Sequence, residues 1–217
     1  MFAYSTITGL TSLLFLLTGL FVYLQNRRSN LYKRCFVFSA SVAFWAFGYF
    51  ITLLPIYSFA GNIIASRLSH AFGAFIPITY LHFVWVLLKR KHNRKLFMWG
   101  YLISGLMFLM CLSSLVVKTL LPKMGIQYYP EWGVLYPIYS ALYIIFPGFA
   151  QIEIAREIKK VSGTERTRLI YFFWALFLAF SGLEVSASLA GEVKNPQKNY
   201  PRAISLAAFI TFFVYFF

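Results

Sequence analysis

The chain has 217 residues, of which 60% are hydrophobic, 21% are aromatic and only 12% are charged. Soluble domains carry roughly 25% charged residues, so this composition and a mean hydropathy of +0.69 exclude an ordinary soluble domain and indicate a polytopic membrane protein. The net charge of +14 comes from short Lys/Arg clusters between apolar runs about one bilayer thick, and it therefore reports membrane topology instead of nucleic-acid binding.

Seven apolar segments predict an all-α fold, a polytopic membrane helical bundle. They cover residues 3–25, 35–54, 63–88, 96–117, 134–154, 169–190 and 203–217. The first six reach the roughly 17 to 25 residues that a spanning helix needs, whereas the last has 15 residues. We therefore expect six full transmembrane helices and a seventh, truncated one. No basic residue precedes the first segment, unlike a cleavable signal peptide, so we expect that helix to be retained.

The charges of the connecting loops predict how the bundle is oriented. Loops 26–34, 89–95 and 156–168 carry 4, 5 and 5 Lys/Arg residues. The alternate loops 55–62, 118–133 and 191–202 carry 0, 2 and 3. Because basic loops stay on the cytoplasmic side, this division of 14 against 5 predicts a multi-pass protein of the inner or plasma membrane with its N-terminus outside.

The third segment holds the residues that we take as candidates for a ligand pocket: Arg67, His70, Pro77 and His82. Ionisable groups inside a membrane are costly and are site candidates by default. Arg67 and His70 share a helix face by their spacing of three, although Arg67 is also placed to extend to the interface and His70 to hydrogen-bond between helices. Pro77 also fits a packing role, which is the usual one for a proline inside an apolar segment. His82 lies about 120° around the helix from His70, which argues against a two-histidine metal site.

Glu184 is an acidic residue about 7 Å from the middle of the sixth segment, in a chain whose first acidic residue is Glu131. Its neighbours Ser181 and Gly182 are small, which suits close helix packing or an interrupted helix at a binding site, and both interpretations stay open. The sequence contains no HExxH, G-x-S-x-G or P-loop motif and no Asp. We therefore expect no catalytic site, no bound metal and no cofactor.

Residues 1–180 resemble the seven-helix N-terminal sensor region of bacterial histidine kinases. The resemblance rests on FWAFGYF (44–50), RLSHAFGAFIPITYLHFVW (67–85) and GTERTRLIYFFWAL (163–176). It implies a signal-transducing membrane module with its N-terminus outside that passes a signal to a cytoplasmic output domain. No phosphoacceptor block or nucleotide-binding glycine motif is present in these 217 residues.

The stretch FSGLEVSASLAGEVKNPQKNYPRAI (180–204) is similar to the sixth helix and following loop of amino-acid permeases of the amino acid, polyamine and organocation superfamily. The resemblance rests on its F-x-G-x-E, E-x-K-N-P and Y-P-R-A-I elements. It implies a permease-like helix-loop-helix fragment at 181–217, beside a sensor-like module at 1–180. The implied substrate-region residues are Ser181, Gly182 and Glu184, and the implied loop residues are Glu192, Lys194, Asn195, Pro196 and Pro201.

The two resemblances disagree about one loop. With the N-terminus outside, the sixth helix delivers residues 191–202 to the outer face, whereas a permease has this loop inside, where its 3 basic residues also favour it. We expect a sensor or receptor-like membrane module without its output domain, and the alternative is a fragment or fusion of an amino-acid permease. The expected partners are the lipid bilayer, a small-molecule ligand or amino acid, and a second copy or a separate output protein, with no nucleic acid.

Overall fold

The computed structural model describes residues 2–54, 58–91, 93–123 and 126–174. In chain order the elements are α1 (Phe2–Gln25), α2 (Asn30–Leu53), α3 (Phe59–Gly73), α4 (Ile76–Leu87), α5 (Arg94–Cys111), β1 (Val117–Lys123), β2 (Ile126–Trp132) and α6 (Tyr136–Ile158), and residues 163–174 are also helical. The chain divides into two compact units, Met1–Ala150 and Gln151–Phe217. The boundary predicted near residue 180 lies outside the described residues and stays a prediction.

Four helical stretches of the described residues are long and apolar enough to cross a membrane: Ser5–Gln25, Asn30–Leu53, Phe59–Leu87 and Tyr136–Ile158. They coincide with the first, second, third and fifth predicted segments, so the predicted helical membrane bundle is confirmed in that form. The fourth segment corresponds to α5, whose 18 residues begin with two basic side chains and extend about 27 Å. Most of the sixth segment and all of the seventh lie outside the described residues, and a total of six spans plus a seventh stays a prediction.

The third span is not one continuous helix. The last α-helical hydrogen bond of α3 runs from the Ala74 N–H to the His70 carbonyl at 3.0 Å. The Phe75 N–H then bonds to the Phe72 carbonyl at 3.2 Å in a tighter turn, and α4 begins at Ile76. Pro77 stands in the first turn of α4, where the missing N–H of proline is tolerated. The third predicted segment is therefore a helix with a break near its centre.

A β-hairpin joins α5 to α6, in the region 118–133 that we expected to be an outer loop within an all-helical fold. Val117 pairs with Trp132 and Lys123 with Ile126 in antiparallel register. The helix before it ends at Cys111 and does not continue to residue 117 as predicted. Two prolines, Pro122 and Pro130, are tolerated because each strand of a two-stranded sheet has a free edge.

Small residues allow α2 to pack closely against its neighbours. A Cβ atom added at Gly48 would lie 2.8 Å from the Cα atom of Ser69 on α3, and one added at Gly19 on α1 would lie 2.6 Å from the Cβ atom of Ser39. The Ser69 hydroxyl donates to the Trp45 carbonyl at 2.7 Å. Close backbone approach and interhelical hydrogen bonds are what hold helices together where lipid removes the hydrophobic driving force.

The centre of the first unit is built around α4. Ile78, Tyr80, Leu81 and Val84 are fully buried there. By contrast, only 6% of the span Ser5–Gln25 in α1 is buried, as expected for a helix at the lipid boundary. Among the described spans, the one formed by α3 and α4 is thus the most shielded from lipid and water.

Candidate functional site

The buried side of α3 carries three polar side chains at intervals of four residues, Asn62, Ser66 and His70, which we call the α3 polar face. Their exposed fractions are 0%, 1% and 3%. Successive members are about 40° apart around the helix and about 6 Å apart along it, so they form one continuous strip. The His70 Nδ1 donates to the Ser66 carbonyl at 2.8 Å, and in the neutral ring the lone pair then lies on Nε2.

Three atoms of this strip have no hydrogen-bond partner among the described residues: the Asn62 Nδ2, the Asn62 Oδ1 and the Ser66 Oγ. A buried polar atom left unpaired costs about 1 to 3 kcal/mol, and native structures contain few of them. A donor, an acceptor and a hydroxyl without a partner are therefore gathered along one buried strip of α3.

Aromatic rings surround the His70 end of the strip. The ring centroids of Tyr49, Tyr139 and Trp132 lie 5.6, 5.8 and 5.9 Å from that of the imidazole. The Trp132 ring stacks on Tyr136 with centroids 3.9 Å apart. We call Tyr49, Trp132, Tyr136 and Tyr139 the aromatic cluster. It joins α2, the end of the hairpin and α6, and the hairpin thus contributes a wall of the site.

Arg67 fixes the hairpin against α3. Its Nε donates to the Val117 carbonyl at 3.2 Å and its Nη2 donates to the Lys118 carbonyl at 3.3 Å. Arg67 and His70 therefore have different partners, because Arg67 binds the start of β1 and His70 lies among the rings of the aromatic cluster. The sequence predicts that both residues line one pocket. It does not predict the hairpin, which binds Arg67 through β1 and contacts His70 through Trp132.

Pro77 acts on the site through the backbone. Because proline has no N–H, the Gly73 carbonyl four residues earlier loses its usual helical partner, and the Tyr143 hydroxyl donates to that carbonyl at 2.7 Å. The Tyr143 oxygen lies 3.2 Å from the Tyr139 hydroxyl, which must then be the donor of the pair. A Cβ atom at Gly73 would collide with the Tyr139 hydroxyl, so a larger residue there would displace that side chain.

His82 lies away from the α3 polar face, on α4. Its Nδ1 is 3.0 Å from the Tyr101 hydroxyl, and its ring stacks on Phe97 with centroids 4.0 Å apart. His70 and His82 thus have separate surroundings, in keeping with the expected difference of face. No group of three metal-ligating side chains occurs within the described part of the chain.

The permease-like residues predicted from the sequence lie outside the described residues. They are Ser181, Gly182, Glu184, Glu192, Lys194, Asn195, Pro196 and Pro201. Among the described residues, the sequence interpretation missed Asn62, Ser66 and Tyr143. The spacing N-x₃-S-x₃-H pointed to the first two, whereas no sequence signal connects Tyr143 with Gly73.

A comparison with known protein families matches most of the second compact unit. The family model for amino acid permease matches residues 158–217. This match confirms the permease resemblance of residues 180–217 and also includes GTERTRLIYFFWAL (163–176), which we had assigned to the sensor resemblance. No curated protein and no solved structure matches the chain. The kinase-type sensor resemblance of residues 1–180 is not confirmed.

The match covers 60 of 217 residues, less than a third of the chain. The apolar helices of the chain and this similarity together show the class of the protein. The chain is a membrane protein, and its residues 158–217 are similar to amino acid permeases.

Proposed function

We propose that the unit Met1–Ala150 is a receptor-type membrane module that binds a small molecule at the α3 polar face and passes the binding event through α4 to the opposite end of the bundle. The observation that carries this proposal is the set of unpaired, fully buried polar atoms on Asn62 and Ser66, on the same strip of α3 as His70, whose ring the aromatic cluster surrounds. Ligand sites are mostly apolar and aromatic, with a few polar groups that fix orientation, and this site has that composition.

The break in the third span supports a signalling role. It separates α3, which carries the polar face, from α4, where His82 bonds to Tyr101 on α5. Side chains from α6 support the break, because the Tyr143 hydroxyl replaces the backbone donor that Pro77 lacks. A ligand that forms hydrogen bonds with α3 would therefore act next to the break between α3 and α4. Breaks of this kind are where backbone angles change when helices move.

The loop charges support a position of the site on the outer face of the membrane. The hairpin connection 118–133 carries 2 basic residues, whereas loops 26–34 and 89–95 carry 4 and 5. In this orientation the module would receive an external molecule and act on a partner at the cytoplasmic face, which is a separate output protein or a second copy of the chain.

A cysteine-labelling experiment in intact cells tests the orientation. Val134 is 85% exposed beside the hairpin, and Lys91 is exposed in a basic loop. After replacement of Cys35 and Cys111, we expect Val134→Cys to react with a membrane-impermeant maleimide and the matched Lys91→Cys to react only after permeabilisation. The opposite pattern would place the site in the cytoplasm and refute a receptor for external ligands.

Amino-acid transport is the second candidate function, and the family match over residues 158–217 favours it. Transporters of this kind build a central site from paired halves with interrupted helices, so we expect the purified chain in liposomes to take up no radiolabelled amino acid. Uptake above protein-free liposomes, lost in Glu184→Gln, would establish transport instead. A cysteine scan of 191–202 separates the two as well, because the receptor topology exposes this loop outside and a permease topology exposes it inside.

A further inference from the structure

The side-chain carboxamide of Asn62 restricts the chemistry of a ligand more than any other group of the α3 polar face. Both its Nδ2 donor and its Oδ1 acceptor are buried without a hydrogen-bond partner among the described residues, and the residue is 0% exposed. The donor and the acceptor lie side by side on one planar group. A single ligand group satisfies both only if it also presents an acceptor beside a donor, as a carboxamide does.

The charges along α3 argue against a carboxylate. Arg67 is the one charged residue in the sequence of α3, and its Nε and Nη2 already donate to the Val117 and Lys118 carbonyls. The His70 Nδ1 is likewise committed to the Ser66 carbonyl. By the helix period Arg67 lies about 100° around the axis from Ser66 and about 140° from Asn62, so a carboxylate at Asn62 would be buried away from this cation. An uncharged group needs no cation.

The remainder of the site suits a flat, apolar body. The strip extends about 12 Å from Asn62 to His70, and Tyr49, Tyr139 and Trp132 surround its far end. Aromatic faces and edges favour a ring offset-stacked or edge-on against them. The Ser66 Oγ, midway along the strip, is available as a further hydrogen-bonding group.

We propose that the α3 polar face binds an uncharged aromatic or heteroaromatic carboxamide, with the carboxamide paired to Asn62 and the ring directed towards the aromatic cluster. This inference rests on the proposed ligand-binding role of the same site. Selection arises because a carboxamide satisfies the donor and the acceptor of Asn62 together, whereas a carboxylate leaves the Oδ1 facing another acceptor.

Equilibrium dialysis of the full chain in phosphatidylcholine nanodiscs tests the proposal, with radiolabelled benzamide and benzoate as matched probes. Protein-free nanodiscs give the linear uptake due to lipid partition. We expect saturable binding of benzamide, at least about tenfold tighter than that of benzoate. In Asn62→Leu the preference for benzamide should disappear, because the side chain keeps its approximate size and loses both hydrogen-bonding atoms.

The matched control is Ser104→Ala. Ser104 on α5 is also fully buried and its Oγ also lacks a partner among the described residues, so this variant removes an unpaired hydroxyl without touching the α3 polar face. It should leave benzamide binding unchanged, and the helical circular dichroism of both variants should match that of the parent chain.

Three results would overturn the inference: no saturable benzamide binding, benzamide binding that survives unchanged in Asn62→Leu, or benzoate binding as tight as that of benzamide. The last result, if it still required Asn62, would retain the receptor function and reject the carboxamide. Conversely, amino-acid uptake or inverted cysteine labelling would reject the receptor function whatever benzamide does, so the two failures are distinguishable.

Discussion

Replacement of Tyr143 by Phe tests how the break in the third span is stabilised. The Tyr143 hydroxyl donates to the Gly73 carbonyl at 2.7 Å and accepts from the Tyr139 hydroxyl at 3.2 Å. Tyr143→Phe removes one oxygen and keeps the ring. The Gly73 carbonyl then loses this donor, and Pro77 offers no N–H to replace it.

The expected cost is about 1.5 kcal/mol of unfolding free energy. Side-chain hydrogen bonds between membrane helices contribute about 0.6 kcal/mol on average and at most about 1.7 kcal/mol, because the unfolded chain in the membrane finds other partners. A buried acceptor that loses its donor costs about 1 to 3 kcal/mol. Because Gly73 is buried, the penalty for an unpaired carbonyl adds to the loss of the hydrogen bond. We therefore expect a destabilisation near the upper end of the range measured between membrane helices.

A double-mutant cycle with Pro77→Ala isolates the interaction. The backbone at residue 77 regains an N–H, which a continuous helix directs to the carbonyl of residue 73, so Tyr143→Phe should cost at least about 0.5 kcal/mol less in this background. Unfolding in mixed SDS and detergent micelles, followed by tryptophan fluorescence, gives the four free energies. Equal costs in both backgrounds would refute the argument that Tyr143 substitutes for the donor missing at Pro77.

Three further predictions concern packing, the hairpin and the unpaired polar atoms. Gly48→Ala should destabilise the chain by about 1 to 3 kcal/mol in the same unfolding assay, because the new methyl group would meet the backbone of α3, whereas the control Gly105→Ala, with nothing within 4 Å of the new atom, should be neutral or stabilising. Arg67→Met should accelerate amide hydrogen exchange across 117–132 and leave α1 unchanged, since two hydrogen bonds from α3 to β1 are lost, and unchanged exchange there would show that Arg67 does not hold the hairpin. Asn62→Leu should raise the unfolding free energy of the ligand-free chain by about 1 kcal/mol or more, because two unpaired polar atoms are removed from a buried position, and a loss of stability would mean that Asn62 has partners in the folded chain.

The sequence by itself determined the class of the protein and the position of most described helices. Apolar runs of bilayer length predict helices because a backbone in lipid must satisfy its hydrogen bonds internally. The runs at 3–25, 35–54 and 134–154 correspond closely to α1, α2 and α6. The motif elements of residues 180–204 likewise identified the permease similarity that the family match confirms.

Local signals were weaker where the chain departs from a straight helix. Pro77 lies within a continuous apolar run of the sequence. The break between α3 and α4 that precedes it depends on backbone hydrogen bonds, which cannot be predicted from composition. The strands at 117–123 and 126–132 are short and each contains a proline, which obscures the alternation that marks a strand. The hairpin was therefore expected as a loop.

Only the tertiary structure decided what the polar residues do. The partners of Arg67 on β1 are 50 and 51 residues away in the chain, and the donor to Gly73 is 70 residues away. Helix periodicity states which residues share a face, so the strip of Asn62, Ser66 and His70 is implicit in the sequence. Periodicity does not predict which elements pack against that face. In the structure α2, α5 and β1 pack against α3, rings from α2, α6 and the hairpin surround His70, and the strip is buried with three of its atoms unpaired.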